Sequence, residues 1–134
     1  MTRTMIPCAL AIVASVAGLH AHHSIAGEYD ASKQVAVEGT VTAFRFVNPH
    51  PFVEFAVTDR AGVQQQWRAE MDNRGELAGV GMTADTLKPG DRVAVRGSAA
   101  RNEPYRLYVR SLERRADGFL YEQIGSSPRV RLPR

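Results

Sequence analysis

Apolar side chains recur at alternate positions through most of this chain, and the runs are separated by turn-forming residues. The first run spans Val35 to Val47, with Val35, Val37, Val41 and Ala43 in one phase and Phe44 and Phe46 in the other. A period of two marks a half-buried strand, and the change of phase predicts one that swaps its buried face partway. Gly39 is the expected place for a bulge or bend. Asn48-Pro49-His50-Pro51 ends the run, because two prolines cannot continue a ladder. Phe52 to Thr58 reads as a second strand, with Val53, Phe55 and Val57 on one face, and Asp59 to Gly62 as a hairpin connection. Val63 to Met71 is the third, with Val63, Trp67, Ala69 and Met71 in phase.

The alternation breaks between Asp72 and Gly81. Glu76 to Val80 predicts one or two helical turns, with Asp72 or Asn73 as N-cap and Gly79 or Gly81 as terminator. Thr83 to Leu87 predicts another turn, and Lys88-Pro89-Gly90-Asp91 a tight turn with preset dihedrals. Val93 and Val95 mark a fourth strand ending at Gly97. After the turn at Arg101 to Pro104, Tyr105, Leu107 and Val109 mark a fifth. Asp117-Gly118 closes the domain, Phe119 to Ile124 packs back as an extra strand, and the rest is tail. Three strands, a short helical connection and two more strands predict an all-β chain built as a small five-stranded OB-like barrel. An open β-sandwich of the same strands is the alternative. The expected organisation is a signal peptide over 1–21, a histidine-containing arm over 22–34, the barrel over 35–118 and a C-terminal extension with a basic tail over 119–134.

The N-terminus changes the picture most. Arg3 precedes a nearly uncharged apolar run from Met5 to Leu19, and small residues follow at Ala17, Gly18 and Ala21. That order is the signature of a cleavable secretory signal, and the run is short for a span of about 20 apolar residues. Ala21 and Ala17 are both acceptable cut sites. The single cysteine, Cys8, lies in this segment, so the processed domain is expected to hold no disulfide and no thiol chemistry. A net charge of +3 is too small to imply a polyanionic partner. Arg129, Arg131 and Arg134 read as a solvated C-terminus.

Several residues together resemble a family of small exported bacterial proteins, domain of unknown function 6152. They are Ala21-His22-His23-Ser24, Glu28-Tyr29-Asp30, Gly39-Thr40-Val41, Val47-Asn48-Pro49-His50 and Leu87-Lys88-Pro89-Gly90-Asp91. The resemblance implies a periplasmic domain and supplies no reaction.

Three of the four histidines, His20, His22 and His23, fall within four residues. A cut after Ala21 makes His22 the first residue, offering an α-amino group and an imidazole together, with His23 beside it. Such nitrogen donors suit Cu(II) in tetragonal geometry, in the manner of the histidine brace of copper proteins. His50, on the rigid turn between two prolines, is the one distant histidine that could complete the set. A cut after His20 instead makes His23 the third residue, able to form a square-planar site without His50. Adventitious binding by a flexible histidine arm is the plain alternative. Copper or a related metal is thus the candidate small ligand, held by His22, His23 and His50. Glu28 and Asp30 are possible oxygen ligands that read more simply as solvated acids.

Nothing marks an enzyme. No ordered acid accompanies Ser24 with His22 or His23, and Glu54, Asp59, Glu70 and Asp72 fall on strands and turns without a discernible pocket. Trp67, Phe44, Phe46 and Tyr108, flanked by Arg45 and Arg68, form a candidate stacking face. Export argues against nucleic acid there and leaves another exported protein, a peptide or a glycan as the partner of a metal-independent accessory domain. No stable membrane span is expected after processing. Intact-mass analysis of the exported chain is expected to place its first residue just after Ala21 or Ala17; a product retaining residues 5–19 would contradict the signal reading.

Overall fold

In a computed structural model that describes residues 24–133, the chain runs α1 (Ile25–Glu28), β1 (Tyr29–Arg45), β2 (Phe52–Thr58), β3 (Gln64–Glu70), α2 (Arg74–Gly79), β4 (Arg92–Ala100), β5 (Arg106–Arg114), β6 (Phe119–Ile124) and β7 (Ser127–Arg131). The seven strands form one sheet in the order β3-β2-β1-β4-β5-β6-β7. All neighbours along it are antiparallel. An additional parallel pairing joins β3 to β5 through Arg68–Arg106, Ala69–Leu107 and Glu70–Tyr108. Strands β1, β2, β3, β5 and β4 therefore close into a hydrogen-bonded ring. The β6–β7 hairpin continues from β5 beyond that seam, with Ser111 to Arg114 pairing Phe119 to Glu122.

Two irregularities let single strands serve a curved ring. The β1–β2 register shifts between Val41 and Ala43, which leaves Thr42 as the extra residue. Val41 then sits opposite Phe55 and Phe44 opposite Val53, so residues three apart both turn toward the core. This is the expected change of buried face, but Thr42 supplies it and Gly39 does not. The register with β4 runs unbroken through Gly39. A Cβ there would lie 2.4 Å from the Ala56 carbonyl oxygen, so its glycine serves close strand approach. The second shift falls between Arg96 and Gly97, where Arg110 is the extra residue on β5. It brings both Val109 and Leu112 inward, and the periodicity after Val109 had concealed this.

Val53, Phe55, Ala69, Met71, Leu77, Val95, Leu107, Leu112, Phe119 and Tyr121 lie among the fully enclosed core residues. Each large aliphatic or phenylalanine side chain there contributes about 1.5–3 kcal/mol of apolar burial. Leu77 comes from α2, whose N-cap is Asn73, its side chain accepting from the Glu76 amide at 2.9 Å. The stretch 83–87 makes a single hydrogen-bonded turn, from the Thr86 amide to the Thr83 carbonyl at 3.0 Å, and no helix.

Strand β2 falls where the alternation placed it. Strand β1 begins at Tyr29, not Val35. Tyr29 and Asp30 pair with Ala100 and Ala99, and pairing resumes at Gln34 with Ser98. The three residues between loop outward, which erases the period-two signal although the strand continues on either side. For the same reason β4 runs past Gly97 to Ala100. Phe119 to Ile124 is a strand as expected, and Ser127 to Arg131, read as tail, is another. Its only apolar side chain besides Pro128 is Val130, which packs on the core; one such residue gives no readable period.

Gly97 has the tightest backbone approach, since a Cβ there would lie 2.0 Å from the Tyr108 carbonyl oxygen. Gly97→Ala is expected to lower stability in chemical denaturation by about 1–3 kcal/mol through overpacking. Gly79→Ala, where nothing lies within 4 Å, is the neutral control.

Candidate functional site

The described chain opens with a segment held from several sides. Ser24 caps α1, its Oγ accepting from the Gly27 amide at 3.1 Å. Arg101 then grips the segment: its amide donates to the Glu28 carbonyl at 2.9 Å, its guanidinium reaches the Ala26 carbonyl at 3.4 Å, and it pairs with Asp30 at 3.6 Å. Asp30 also accepts from the Ser32 amide and hydroxyl, at 3.0 and 2.6 Å, which shapes the outward loop and, with nearby Arg101, holds its carboxyl below the usual range.

Glu28 and Tyr29 reach the ring seam. Arg106 donates through Nε to the Tyr29 hydroxyl at 2.9 Å, through one terminal nitrogen to Glu103 at 2.7 Å, and through the other to Glu28 at 2.9 Å and Glu70 at 3.0 Å. The Tyr29 hydroxyl donates to the same Glu70 oxygen at 2.5 Å. Three carboxylates thus surround one guanidinium. Burial raises the Tyr29 pKa, and the Glu70 carboxylate raises it further. Burial alone would lower that of Arg106, but its bonds to Glu70 and Tyr29 outweigh this and hold it above its ordinary value. Glu70 is only 8% exposed. Deleting one partner of such a buried pair costs about 3–5 kcal/mol, because the other charge is left uncompensated. Glu103 is largely solvated and adds little. Beside the network lies an open cleft of about 530 Å³ lined by Ser24, Gly27, Glu28, Asn102, Glu103 and Arg106, with Ala100.

One residue beyond Glu70, the backbone carries the turn that holds His50. Met71 donates its amide to the Pro51 carbonyl at 2.9 Å, and its own carbonyl lies 3.0 Å from His50 Nδ1. The Arg74 amide bonds the Pro49 carbonyl at 3.1 Å, and Arg74 Nε bonds the Phe46 carbonyl at 3.1 Å. The Asn48–Pro49 peptide is cis. Because a carbonyl oxygen only accepts, Nδ1 carries the proton in its bond to Met71, and the ring's neutral form presents the Nε2 lone pair.

Of the three sequence-predicted metal residues, His22 and His23 lie outside the described residues, as does the whole segment read as a signal. His50 is described and half-buried. Among the described residues no group of three or more His, Cys, Asp or Glu side chains is arranged to hold a metal ion. Glu28 and Asp30 are structural anchors more than solvated acids. Glu54 pairs with Arg45 at 3.8 Å, Asp59 braces its own hairpin, and Asp72 accepts from Gln123 at 2.6 Å.

Of the expected stacking face, Tyr108 is withdrawn into the core and the other three rings are partly buried. Tyr108 is buried against Tyr29, with ring centroids 5.7 Å apart. Phe44, Phe46 and Trp67 pack on the core. Phe52 is the aromatic that shares the outer face with Arg68, and the Arg68 guanidinium covers it at 3.7 Å. Trp67 Nε1 is buried without a hydrogen-bond partner, and the ring meets Tyr105 edge-on at 5.5 Å. Sequence reasoning missed Arg101 and Arg106, which organise the site, because no local pattern links an arginine to carboxylates about 75 positions away. The acidic-aromatic pair Glu28-Tyr29 was the one available signal.

Residues 9–106 match a family profile that spans both histidine motifs and ends at the arginine of the seam. The chain belongs to the family of unknown function DUF6152. No match was found among curated proteins. Among solved structures the DUF6152 chain is similar to two of the agmatidine synthetase TiaS, each at 16% identity. For the ZRD-deleted mutant in complex with agmatine the TM-score is 0.44, covering 69% of this chain and 26% of that one. For the apo enzyme it is 0.42, covering 76% and 24%. The chain therefore spans about a quarter of the length of those structures. Among the described residues no helix is long and apolar enough to cross a membrane.

Tyr29, Tyr108 and Tyr121 all have pKa values raised above the ordinary 10.0, chiefly by burial. Each hydroxyl binds its proton more tightly in the folded chain than in the unfolded one. Their contribution is complete below pH 10 and is lost as pH rises beyond it. The denaturant midpoint is expected to hold steady through neutral pH and fall steeply above about 10, and Tyr121→Phe to make that fall shallower.

Proposed function

We propose that this chain is an exported periplasmic OB-like binding module that takes copper, or a related transition metal, through His22 and His23 with His50. What supports the reading is the His50 ring itself. Its Nδ1 is engaged by the Met71 carbonyl at 3.0 Å, the arrangement by which metal-binding histidines fix their tautomer and aim the other nitrogen. A turn held by Met71 and Arg74 keeps that nitrogen in place.

A second feature concerns the other end of the site. Ser24, the residue after His23, is capped onto α1 and anchored through Glu28, Tyr29 and Asp30. The chain that follows the histidines is therefore fixed, and ordering it adds little to the entropic cost of binding. The same anchor reaches Glu70, whose neighbour Met71 holds His50. Neutral imidazole and a terminal amine form a nitrogen donor set suited to Cu(II). The competing reading is an accessory domain gripping another exported protein with an aromatic face; Tyr108 is withdrawn from that face into the core, and Phe44, Phe46 and Trp67 are partly buried.

Copper titration of the exported form is the test, with its N-terminus first established by mass. Wild type is expected to bind one Cu(II), and His22→Ala and His50→Ala each to weaken binding by about tenfold or more. Equal weak binding by all three would end the metal reading. Loss in His22→Ala alone would remove His50 from the site.

A further inference from the structure

We infer that the unpaired half of β3, Gln64 to Trp67, is a docking edge to which an extended acidic-apolar segment of a partner protein adds as a further strand. Neither His50 nor a metal takes part in it. The Asp59 amide donates to the Val63 carbonyl at 2.9 Å, which sets the alternation along the β2–β3 hairpin. Gln65, Trp67 and Ala69 turn their backbone groups toward β2, and Gln64, Gln66, Arg68 and Glu70 turn theirs away. Arg68 shows this directly, since its amide donates to the Tyr105 carbonyl at 2.9 Å. The parallel seam pairs only Arg68 to Glu70 with β5. The outward amides and carbonyls of Gln64 and Gln66 therefore meet no strand among the described residues. Two donors and two acceptors in a row along an open edge are matched by an extended backbone.

The two ends of the sheet differ in this respect. Strand β7 carries Pro128, which cannot donate, with Arg129 and Arg131 beside it, the usual means of blunting an edge. Gln64 to Trp67 has neither proline nor charge. The Gln66 side chain is drawn across β2 to Thr42 Oγ1 at 2.6 Å, away from the edge. The inner face beside the edge is apolar: Val63 is 55% exposed and Tyr105 43%, and the Tyr105 ring meets Trp67 at 5.5 Å. Tyr105 keeps this place at a φ of 57°, a conformation that bulky side chains rarely adopt. Arg60 and Arg68 bracket the stretch, and neither has an ion pair among the described residues. Alternate side chains of an added strand thus meet an apolar face on one side and lie near two unpaired cations on the other. That selects apolar and acidic residues in alternation.

The test is backbone amide hydrogen exchange in the metal-free chain, titrated with a capped heptapeptide of alternating glutamate and valine. Trp67 is the one tryptophan of the chain, so its emission gives the affinity. Saturating peptide is expected to shift that emission and to slow exchange at Gln64 and Gln66 by about tenfold or more, with Gln65 unchanged. Gln66→Pro removes an outward donor without touching the β2 ladder, and is expected to weaken binding by about tenfold or more. Thermal unfolding checks its fold. Should it fail to fold, Arg60→Glu combined with Arg68→Glu takes its place, with a similar loss expected. No binding up to about 1 mM peptide, or undiminished binding by the variant, would overturn the docking edge. Equal binding of a lysine-valine peptide would overturn its acidic partner. Slowing at Gln64 and Gln66 that grows with protein concentration alone would give the edge to a second copy of the chain and overturn the partner segment.

Discussion

Three residue pairs, Arg68–Arg106, Ala69–Leu107 and Glu70–Tyr108, carry the parallel contact that turns an open sheet into a ring. The contact is short and of the parallel kind, which is slightly weaker per residue than the antiparallel pairings around it. Both of its faces are reinforced. Ala69 and Leu107 point into the core and are fully enclosed. On the other side Glu70 and Arg106 form an ion pair whose remaining capacity is taken by Tyr29, Glu28 and Glu103. Without the seam, β3 and the lower part of β5 would present unpaired edges, which proteins otherwise have to cover or blunt. The bulges at Thr42 and Arg110 allow the curvature that brings β3 and β5 together.

The seam also decides what lies near what. It places Glu70, at the end of β3 and next to Met71, against the hydroxyl of the tyrosine that ends the opening segment. A ring held at this point fixes both the tail that follows the histidines and the turn that carries His50. Other polar contacts tie turns to strands. Arg114 ties Asp91 at 2.6 Å and Asp117 at 2.8 Å, joining the Lys88–Asp91 turn to the β5–β6 hairpin, and Gln123 joins Tyr121 to Asp72.

Much of the strand plan was legible because β2, β3 and β6 show one buried face each, so burial writes itself into a period of two. The plan failed where the ladder is irregular. Residues 31–33 loop outward, Arg110 shifts the phase of β5, and β7 offers almost no apolar residue to count. The role of Gly39 was misread for a related reason: a glycine marks either a bend or a close approach, and only the distance to the Ala56 carbonyl decides. The histidines were visible as candidates, but the orientation of His50 depends on a carbonyl 21 positions away. The arginines of the site were invisible, since long-range ion pairs leave no local spacing.

The central functional claim is that the residues just before Ser24 and the imidazole of His50 meet at one metal ion. Paramagnetic broadening of backbone amide signals by substoichiometric Cu(II) tests this directly on the exported chain. The account predicts that the amides of Gly27 and Glu28 broaden together with those of His50, Met71 and Asp72. Broadening confined to the opening segment, with His50 and Met71 sharp, would contradict it.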